Sequence, residues 1–304
     1  MRGRVVVTGA SGFIGRHTLP LLAQAGMEVH TLGRREVQAD GVTHHQRDLL
    51  DPVGCVSLLK RLAPSHLLHL AWYVEHGAFW RSRLNLDWLA ASVRLYLAFA
   101  DAGGRRMVFG GSCAEYKWGS AAPLRESTTP AEPATLYGTS KLALGHALAA
   151  AAAVTGVEVA WGRVFLLYGP HERPGRLVPQ VIGALLSGHE ARCTSGRQVR
   201  DIMHVADVAR AFVALLTADV AGPVNIASGF AVTLADVVHA AASAAGRPDL
   251  VRLGALPDCL DDPPVLTADV ELLRHRVGFV PSIDLRRGLE DTVTWWRSRR
   301  ADAP

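Results

Sequence analysis

The sequence predicts an α/β chain, a doubly wound parallel sheet with a smaller, interleaved C-terminal α/β lobe. Three observations predict it. Short apolar, β-branched runs alternate with helical patterns from residue 1 to about 165, which argues for parallel strands with helices on both faces. A glycine-punctuated turn joins the first such run to the first helical pattern. Past residue 165 the texture changes, and Tyr168-Gly169-Pro170, Pro257, Pro263, Pro264 and Pro281 break the chain into shorter pieces.

Arg4-Val5-Val6-Val7 is long enough for a buried parallel strand. It runs into Thr8-Gly9-Ala10-Ser11-Gly12-Phe13-Ile14-Gly15, then a helical pattern through Leu19, Leu21, Leu22 and Ala25, with Gly26 placed to end it. A second strand, Glu28 to Leu32, follows. A strand–glycine turn–helix–strand unit of about 30 residues is the context a dinucleotide fingerprint requires. Gly9 would allow the tight turn, Gly12 the approach of backbone amides to a pyrophosphate, and Gly15 the close packing of helix on strand. The helix N-terminus would offer its positive dipole end to the phosphates. Further strands are expected at 66–70, 106–111 and 157–163, and helices at 53–62, 84–102 and 137–154. Beyond these come a helix at 177–187, a strand from Ile202 to Val205, a helix from Asp207 to about Leu216, and a buried strand Pro223-Val224-Asn225-Ile226. We expect residues 1–165 with about 199–227 to form the dinucleotide-binding lobe, and 166–198 with 228–304 the substrate lobe. The substrate cleft would lie between them.

With 304 residues and 49% hydrophobic content the chain can bury a large core. No apolar run approaches the roughly 20 residues of a membrane span, so no membrane partner is expected. The formal charge of +4 is spread along the chain, and the one dense basic cluster, Arg297-Ser298-Arg299-Arg300, reads as a solvated tail and not a nucleic-acid site. Four cysteines, Cys55, Cys113, Cys193 and Cys259, form no Cys-x-x-Cys pair. A reducing cytoplasm and no metal site are expected.

Tyr137 and Lys141 lie four apart, on one helix face, so the ammonium can sit against the phenol. A cation there would lower the tyrosine pKa from its ordinary value near ~10. A phenol tuned in this way exchanges a proton with an alcohol while a carbonyl forms or disappears. Ser112 closes the strand Met107-Val108-Phe109-Gly110-Gly111, where an open α/β sheet exposes its ligand groups.

The ordered set Thr8-Gly9-x-x-Gly12-x-x-Gly15, His69-Leu70-Ala71, Asn85, Ser112, Tyr137-x-x-x-Lys141 and Arg200-Asp201-x-x-His204-Val205-x-Asp207-Val208 spans nearly the whole chain. It resembles the extended short-chain dehydrogenases/reductases, in their nucleotide-sugar epimerase/dehydratase/4-ketoreductase branch. The resemblance implies a Rossmann-type lobe and a nucleotide-diphosphate sugar as substrate. It implies Tyr137 as general acid/base, Lys141 as its partner and ligand of the nicotinamide ribose, and Ser112 as hydrogen-bond donor to the reacting oxygen. Ser11, Phe13 and Ile14 would join the glycines in the cofactor turn, with Leu70 and Ala71 along the cofactor and Asp48 and Leu49 flanking the adenine. Arg200 would meet the substrate pyrophosphate, with Asp201 orienting it or pairing at the lobe interface. Cys113, His171, Arg176 and Leu177 would border the substrate, and Asn85 would tie two helices together. A homodimer through a helix bundle is also implied.

Three local departures narrow the expectation. NAD enzymes of this type place an acid after the second strand, whereas an arginine accommodates the phosphate of NADP. Here the strand ends Leu32-Gly33-Arg34-Arg35, which favours NADP over NAD. The 4,6-dehydratases that the sequence resembles follow the catalytic hydroxyl with an Asp-Glu pair, but Ser112 is followed by Cys113-Ala114-Glu115-Tyr116. Glu115 stands one place late, and on an extended segment that reverses the side chain. Leu166 stands where 4-epimerases of this branch commonly carry Asn. The expectation is an NADP-dependent reductase passing hydride to C4 of a nucleotide-activated 4-keto-6-deoxysugar. A nucleotide-sugar epimerase with tightly bound NAD(P) is the alternative.

Overall fold

Val5, Val6 and Val7 are fully buried, and their alternation sets up the layers. The computed structural model describes residues 3–259 and 261–301. Strand β1 (Arg4–Thr8) turns Val5 and Val7 to one face of a sheet and Val6 to the other. On the first face lie α1 (Gly15–Gln24) and α6 (Val205–Thr217); on the second lie α2 (Pro52–Leu62), α3 (Leu84–Asp101) and α4 (Leu136–Thr155). Both faces are therefore apolar, as a parallel sheet covered by helices requires.

The sheet has seven strands in the order β10-β6-β5-β4-β1-β2-β3, all parallel. Its members after β1 are β2 (Glu28–Gly33), β3 (Val42–Gln46), β4 (His66–His69), β5 (Arg106–Ser112), β6 (Glu158–Val164) and β10 (Gly222–Ile226). The chain reverses its direction of winding between β1 and β4, so the C-terminal ends of these strands form the crevice where such sheets bind ligands. The predicted Rossmann-type α/β fold is the one observed.

One strand of the sheet, β3, has no counterpart among the predicted elements. Its sequence, Val42-Thr43-His44-His45-Gln46, is polar, and it is half-exposed at the sheet edge. An edge strand with one paired side carries too little apolar pattern to be read from sequence.

The smaller sheet groups β9 (Val199–His204) with β11 (Ala231–Thr233), β13 (Val265–Leu266) and β7 (Leu166–Tyr168). Strand β8 (Ala191–Arg192) pairs with β12 (Val251–Arg252), and a short helix, α8, spans Glu271–His275. Helices α5 (Leu177–Leu186), α7 (Leu234–Ala245) and α9 (Leu285–Ala301) pack together around Ile182, Val237, Ala241 and Leu289. Of residues 199–227, α6 and β10 pack with the large sheet, whereas β9 pairs in the small one. Among the described residues no helix is long and apolar enough to cross a membrane, and no cluster of three metal-ligating side chains occurs.

Candidate active site

The end of β5 is shaped by a serine cap. Ser112, at φ −152° and ψ 146°, opens a single 3-10 turn (Cys113–Glu115), and its Oγ accepts from the Ala114 amide at 3.2 Å. The carboxylate of Glu115 reaches back and accepts the Ser112 amide at 2.7 Å, completing a capping box. The segment after Ser112 is thus a turn, not the extended strand assumed from sequence. Glu115 is fully buried against Trp161 and Arg163 of β6, with its hydrogen bonds made inside the protein.

Helix α4 delivers the other two groups. Thr135 caps it by accepting the Gly138 amide at 3.1 Å. A Cβ on Gly138 would stand 2.2 Å from the Ala114 carbonyl, so only glycine lets α4 approach the Ser112 turn this closely. That approach sets Tyr137 beside Ser112, whose hydroxyl opposes the upward shift of the phenol. Tyr137 is 8% exposed and wedged edge-on against Phe79 and Trp80, with ring centroids 4.8 and 5.7 Å away. Lys141 Nζ donates to the Gly110 carbonyl at 2.6 Å and lies over the rings of Trp72 and Phe109, 4.1 and 4.4 Å from their centroids.

The expected tuning of the phenol is corrected here. Burial pushes the Tyr137 pKa up, opposed by the hydrogen bond to Ser112. Burial likewise pulls Lys141 down to about 7, opposed by the charge of Glu115. The ammonium lies 5.8 Å from the Tyr137 ring centroid and spends a hydrogen bond on Gly110. Desolvation is therefore the main cause of both shifts. Chemically, the phenol retains its proton beside a serine hydroxyl and is suited to act as an acid.

The glycine turn forms a cradle fitted to a dinucleotide. Gly9 adopts φ +71°, and a Cβ there would meet the Ala71 amide at 2.7 Å. A Cβ on Gly15 would stand 2.2 Å from the Gly9 carbonyl. Helix α1 begins at Gly15 with no side-chain cap, its Arg16 and His17 amides held by the Gly12 and Ile14 carbonyls, so the attraction for an anion there is that of the helix dipole. Leu70 and Ala71 lie directly behind Gly9, while Ser11, Phe13 and Ile14 are half-buried along the turn. At the far end of the crevice, Gly33 closes β2 with open space around its Cα, and Arg34 Nη1 is 3.9 Å from Asp48 Oδ2. Arg35 is exposed and Leu49 is buried beside them.

Residues 5–227 match the family described as NAD dependent epimerase/dehydratase. The chain belongs to that family. It is 29% identical to a UDP-glucose 4-epimerase of Azospirillum brasilense, over 97% of this chain and 92% of that one. It superposes on MoeE5 in complex with UDP-glucuronic acid and NAD at TM-score 0.83 and 31% identity, covering 98% and 100% of the two chains. The fold also matches UDP-N-acetylglucosamine 4-epimerase from Methanobrevibacter ruminantium M1, solved with UDP-N-acetylmuramic acid, at TM-score 0.88, 24% identity and 98% and 99% coverage. The chain is an enzyme of the extended short-chain dehydrogenase/reductase type, with an NAD(P) cofactor.

The substrate side of this epimerase/dehydratase family member is less open than the sequence implied. Arg200 is 3% exposed; it pairs with Asp262 at 2.7 Å and donates to the Val199 carbonyl, so its charge is already partnered. Asp201 does not orient it, but accepts from Ser228 and Gly229 in the turn after β10. His171 sits at φ 72°, bonded to Arg16 at 2.5 Å and tilted against the Trp295 ring, and burial pulls it down to about 4. Cys113 is buried, its thiol pushed up to about 12, and behaves as a small hydrophobe. Arg176 caps α5, 3.9 Å from Glu172, and its charge is felt by Tyr137; Leu177 opens that helix. Asn85 ties Trp72 to the Phe79–Ser82 loop and does not join two helices. A cavity of about 630 Å³ lies beside Trp118, lined by Lys117, Ser120, Arg125 and Thr128, but includes none of Ser112, Tyr137 or Lys141. We place the site at those three residues because their chemistry converges there.

Sequence reasoning missed the aromatic wall of Phe79, Trp80 and Trp118, and the network beneath Ser112. Trp80 carried no spacing signal, because it lies in an irregular loop. Glu172 is a buried acid with one oxygen lacking a partner, raised to about 8 by burial.

Proposed function

We propose that the protein is an NADP-dependent reductase of a nucleotide-activated 4-keto-6-deoxysugar. The observation that carries the reading is the close packing of the Tyr137 end of α4 on the Ser112 turn, next to buried Lys141, with Glu115 hydrogen-bonded inside the sheet. A bound nicotinamide would supply the hydride at C4. The chain's own part follows from its residues. Tyr137, held protonated by burial, donates its proton to the developing alkoxide. Ser112 hydrogen-bonds the same oxygen as charge builds on it. Lys141 would hold the cofactor ribose, and Phe79 and Trp80 keep water from the phenol. Gly9, Gly12 and Gly15 would seat the pyrophosphate, and Arg34 and Arg35 the ribose phosphate that distinguishes NADP.

The inward turn of Glu115 supports reduction over dehydration, because no carboxylate follows Ser112 on the substrate side. The alternative is a nucleotide-sugar epimerase with tightly bound NAD(P), and the UDP-glucose 4-epimerases to which the chain is similar support it. One assay separates the two. Purified protein with NADPH and a nucleotide-4-keto-6-deoxyhexose should consume NADPH stoichiometrically. Interconversion of two nucleotide sugars without added coenzyme, and no NADPH oxidation, would establish the epimerase instead.

The reading also takes in a cytoplasmic location, supported by free cysteines at 55, 113, 193 and 259. A homodimer through α3 and α4 is part of it, with Leu86, Leu97 and Val154 exposed on those helices. Light scattering tests the dimer.

A further inference from the structure

Ser112 is held from beneath by a buried ion pair that the proposed chemistry does not use. Glu115 is 0% exposed. Its Oε1 accepts from the Ser112 amide at 2.7 Å and from Trp161 Nε1 at 2.9 Å, while Oε2 accepts from Arg163 Nε at 2.8 Å. The Arg163 side chain is 6% exposed and lies over the Tyr116 ring. Trp161 and Arg163 alternate on β6 and so share one face of it, in register with Phe109 and Gly111 of β5. Gly111 makes the room: a Cβ there would lie 2.7 Å from Glu115 Oε1 and 2.2 Å from Trp161 Nε1. A charge this buried is tolerated only when paired and hydrogen-bonded, and these donors meet that condition.

The same carboxylate is felt by both groups above it. Its charge favours the protonated form of Lys141 and of Tyr137 alike. The other groups facing Lys141 are the Gly110 carbonyl, the Trp72 and Phe109 rings, and His69, which burial pulls down to about 3 and leaves neutral. Those facing Tyr137 are Ser112, the neutral Cys113 thiol and the Arg176 guanidinium. Glu115 is thus the anion common to the pair.

We propose that Glu115 is a positioning residue that fixes Ser112 through its backbone amide and supplies the counter-charge beneath the Tyr137–Lys141 pair. The proposal rests on the reading of Ser112, Tyr137 and Lys141 as the catalytic set. Two variants separate charge from shape. Glu115→Gln keeps an acceptor for the Ser112 amide and removes the charge. Trp161→Phe keeps the charge and removes one donor.

The first readout needs no turnover: the NMR titration of the Lys141 ε-methylene, assigned by its loss in Lys141→Arg. The second is the pH profile of kcat/KM for NADPH oxidation. In Glu115→Gln the Lys141 midpoint should fall below that of the wild type, and the alkaline limb of the profile should move to lower pH with it. The kcat near neutral pH should fall about 10–100-fold, as for a displaced catalytic group, with cofactor affinity unchanged. Trp161→Phe should leave the midpoint in place. A Glu115→Gln midpoint coincident with the wild type, or an equal shift in Trp161→Phe, overturns the proposal. Should Glu115→Gln fail to fold, Glu115→Asp decides: a retained midpoint with lowered kcat supports the proposal, and an unchanged kcat overturns it. Absence of NADPH oxidation in the wild type would overturn the reductase reading alone, because the Lys141 titration still reads the charge of Glu115.

Discussion

Lys141 donates its hydrogen bond to Gly110, two residues before Ser112 on the same strand, at 2.6 Å. The bond joins helix α4 to strand β5, and with the tight contact of Gly138 on Ala114 it sets where Tyr137 stands relative to Ser112. The lysine is therefore a structural tie of the site as well as a charge within it. Its role in either capacity is separable from that of the phenol.

Tyr137→Phe removes the proton and keeps the ring. The edge-on contacts with Phe79 and Trp80 remain available to phenylalanine. Turnover should fall by about 10²–10⁴, the range expected for loss of a general acid, while NADPH still binds. Steady-state assays beside fluorescence titration of NADPH check this; retained turnover would remove Tyr137 from the mechanism.

Lys141 gives stability a pH slope of known sign. Its folded pKa is lowered to about 7, against about 10.4 in an unfolded chain. Between these values the unfolded state holds a proton that the native state has released, so native stability rises with pH across that window. Below it the lysine is charged in both states and the full cost of burying it is felt. Lys141→Met should therefore raise Tm most at and below neutral pH, with the gain shrinking toward pH ~10. Thermal unfolding of both proteins across this range, without added cofactor, reads the effect; a pH-independent difference would show that the lysine titrates normally.

What the sequence disclosed follows from where its constraints lie. Val5 to Val7 and the spacing of Gly9, Gly12 and Gly15 are dictated by backbone geometry and burial, which leave a local imprint, so the sheet and the tight glycine turn could be read directly. Tyr137 and Lys141 were legible because one helix turn relates them. Glu115, Trp161 and Arg163 were not, because they meet only when β5 and β6 are laid side by side, at a sequence separation that no local pattern spans. Arg200 was legible as a motif residue, but its engagement by Asp262 depends on a loop some 60 residues later. The pKa of Tyr137 went astray for a related reason: the spacing showed the cation, and only the fold showed the desolvation.

The glycines are not equivalent, and two substitutions show it. A Cβ on Gly15 would be 2.2 Å from the Gly9 carbonyl and 2.8 Å from Ala10 Cα, both backbone atoms that cannot step aside. Gly183, inside α5, has nothing within 4 Å of the same atom. Gly15→Ala should lower Tm and abolish cofactor binding together, since α1 must move off β1. Gly183→Ala should raise stability by roughly 0.5–1 kcal/mol, because alanine loses less backbone entropy in a helix. Calorimetry with NADPH titration checks the contrast, and tolerance of Gly15→Ala would refute the tight turn.

Cofactor choice is testable at the end of β2. Gly33 has no neighbour within 4 Å of an added Cβ, so Gly33→Asp fits without repacking. The new carboxylate would stand where an acid holds the ribose hydroxyls of NAD and repels the phosphate of NADP. Arg34, 71% exposed in its side chain and only loosely engaged by Asp48, is free to turn to a phosphate. Arg34→Ala should weaken NADPH binding about 10-fold, the size of one charged hydrogen bond, and leave NADH nearly unchanged. Gly33→Asp should move the preference the same way by improving NADH. Dissociation constants for both coenzymes on the three proteins decide it: an NADPH/NADH ratio that neither substitution alters would place the specificity elsewhere and favour NAD as the working cofactor.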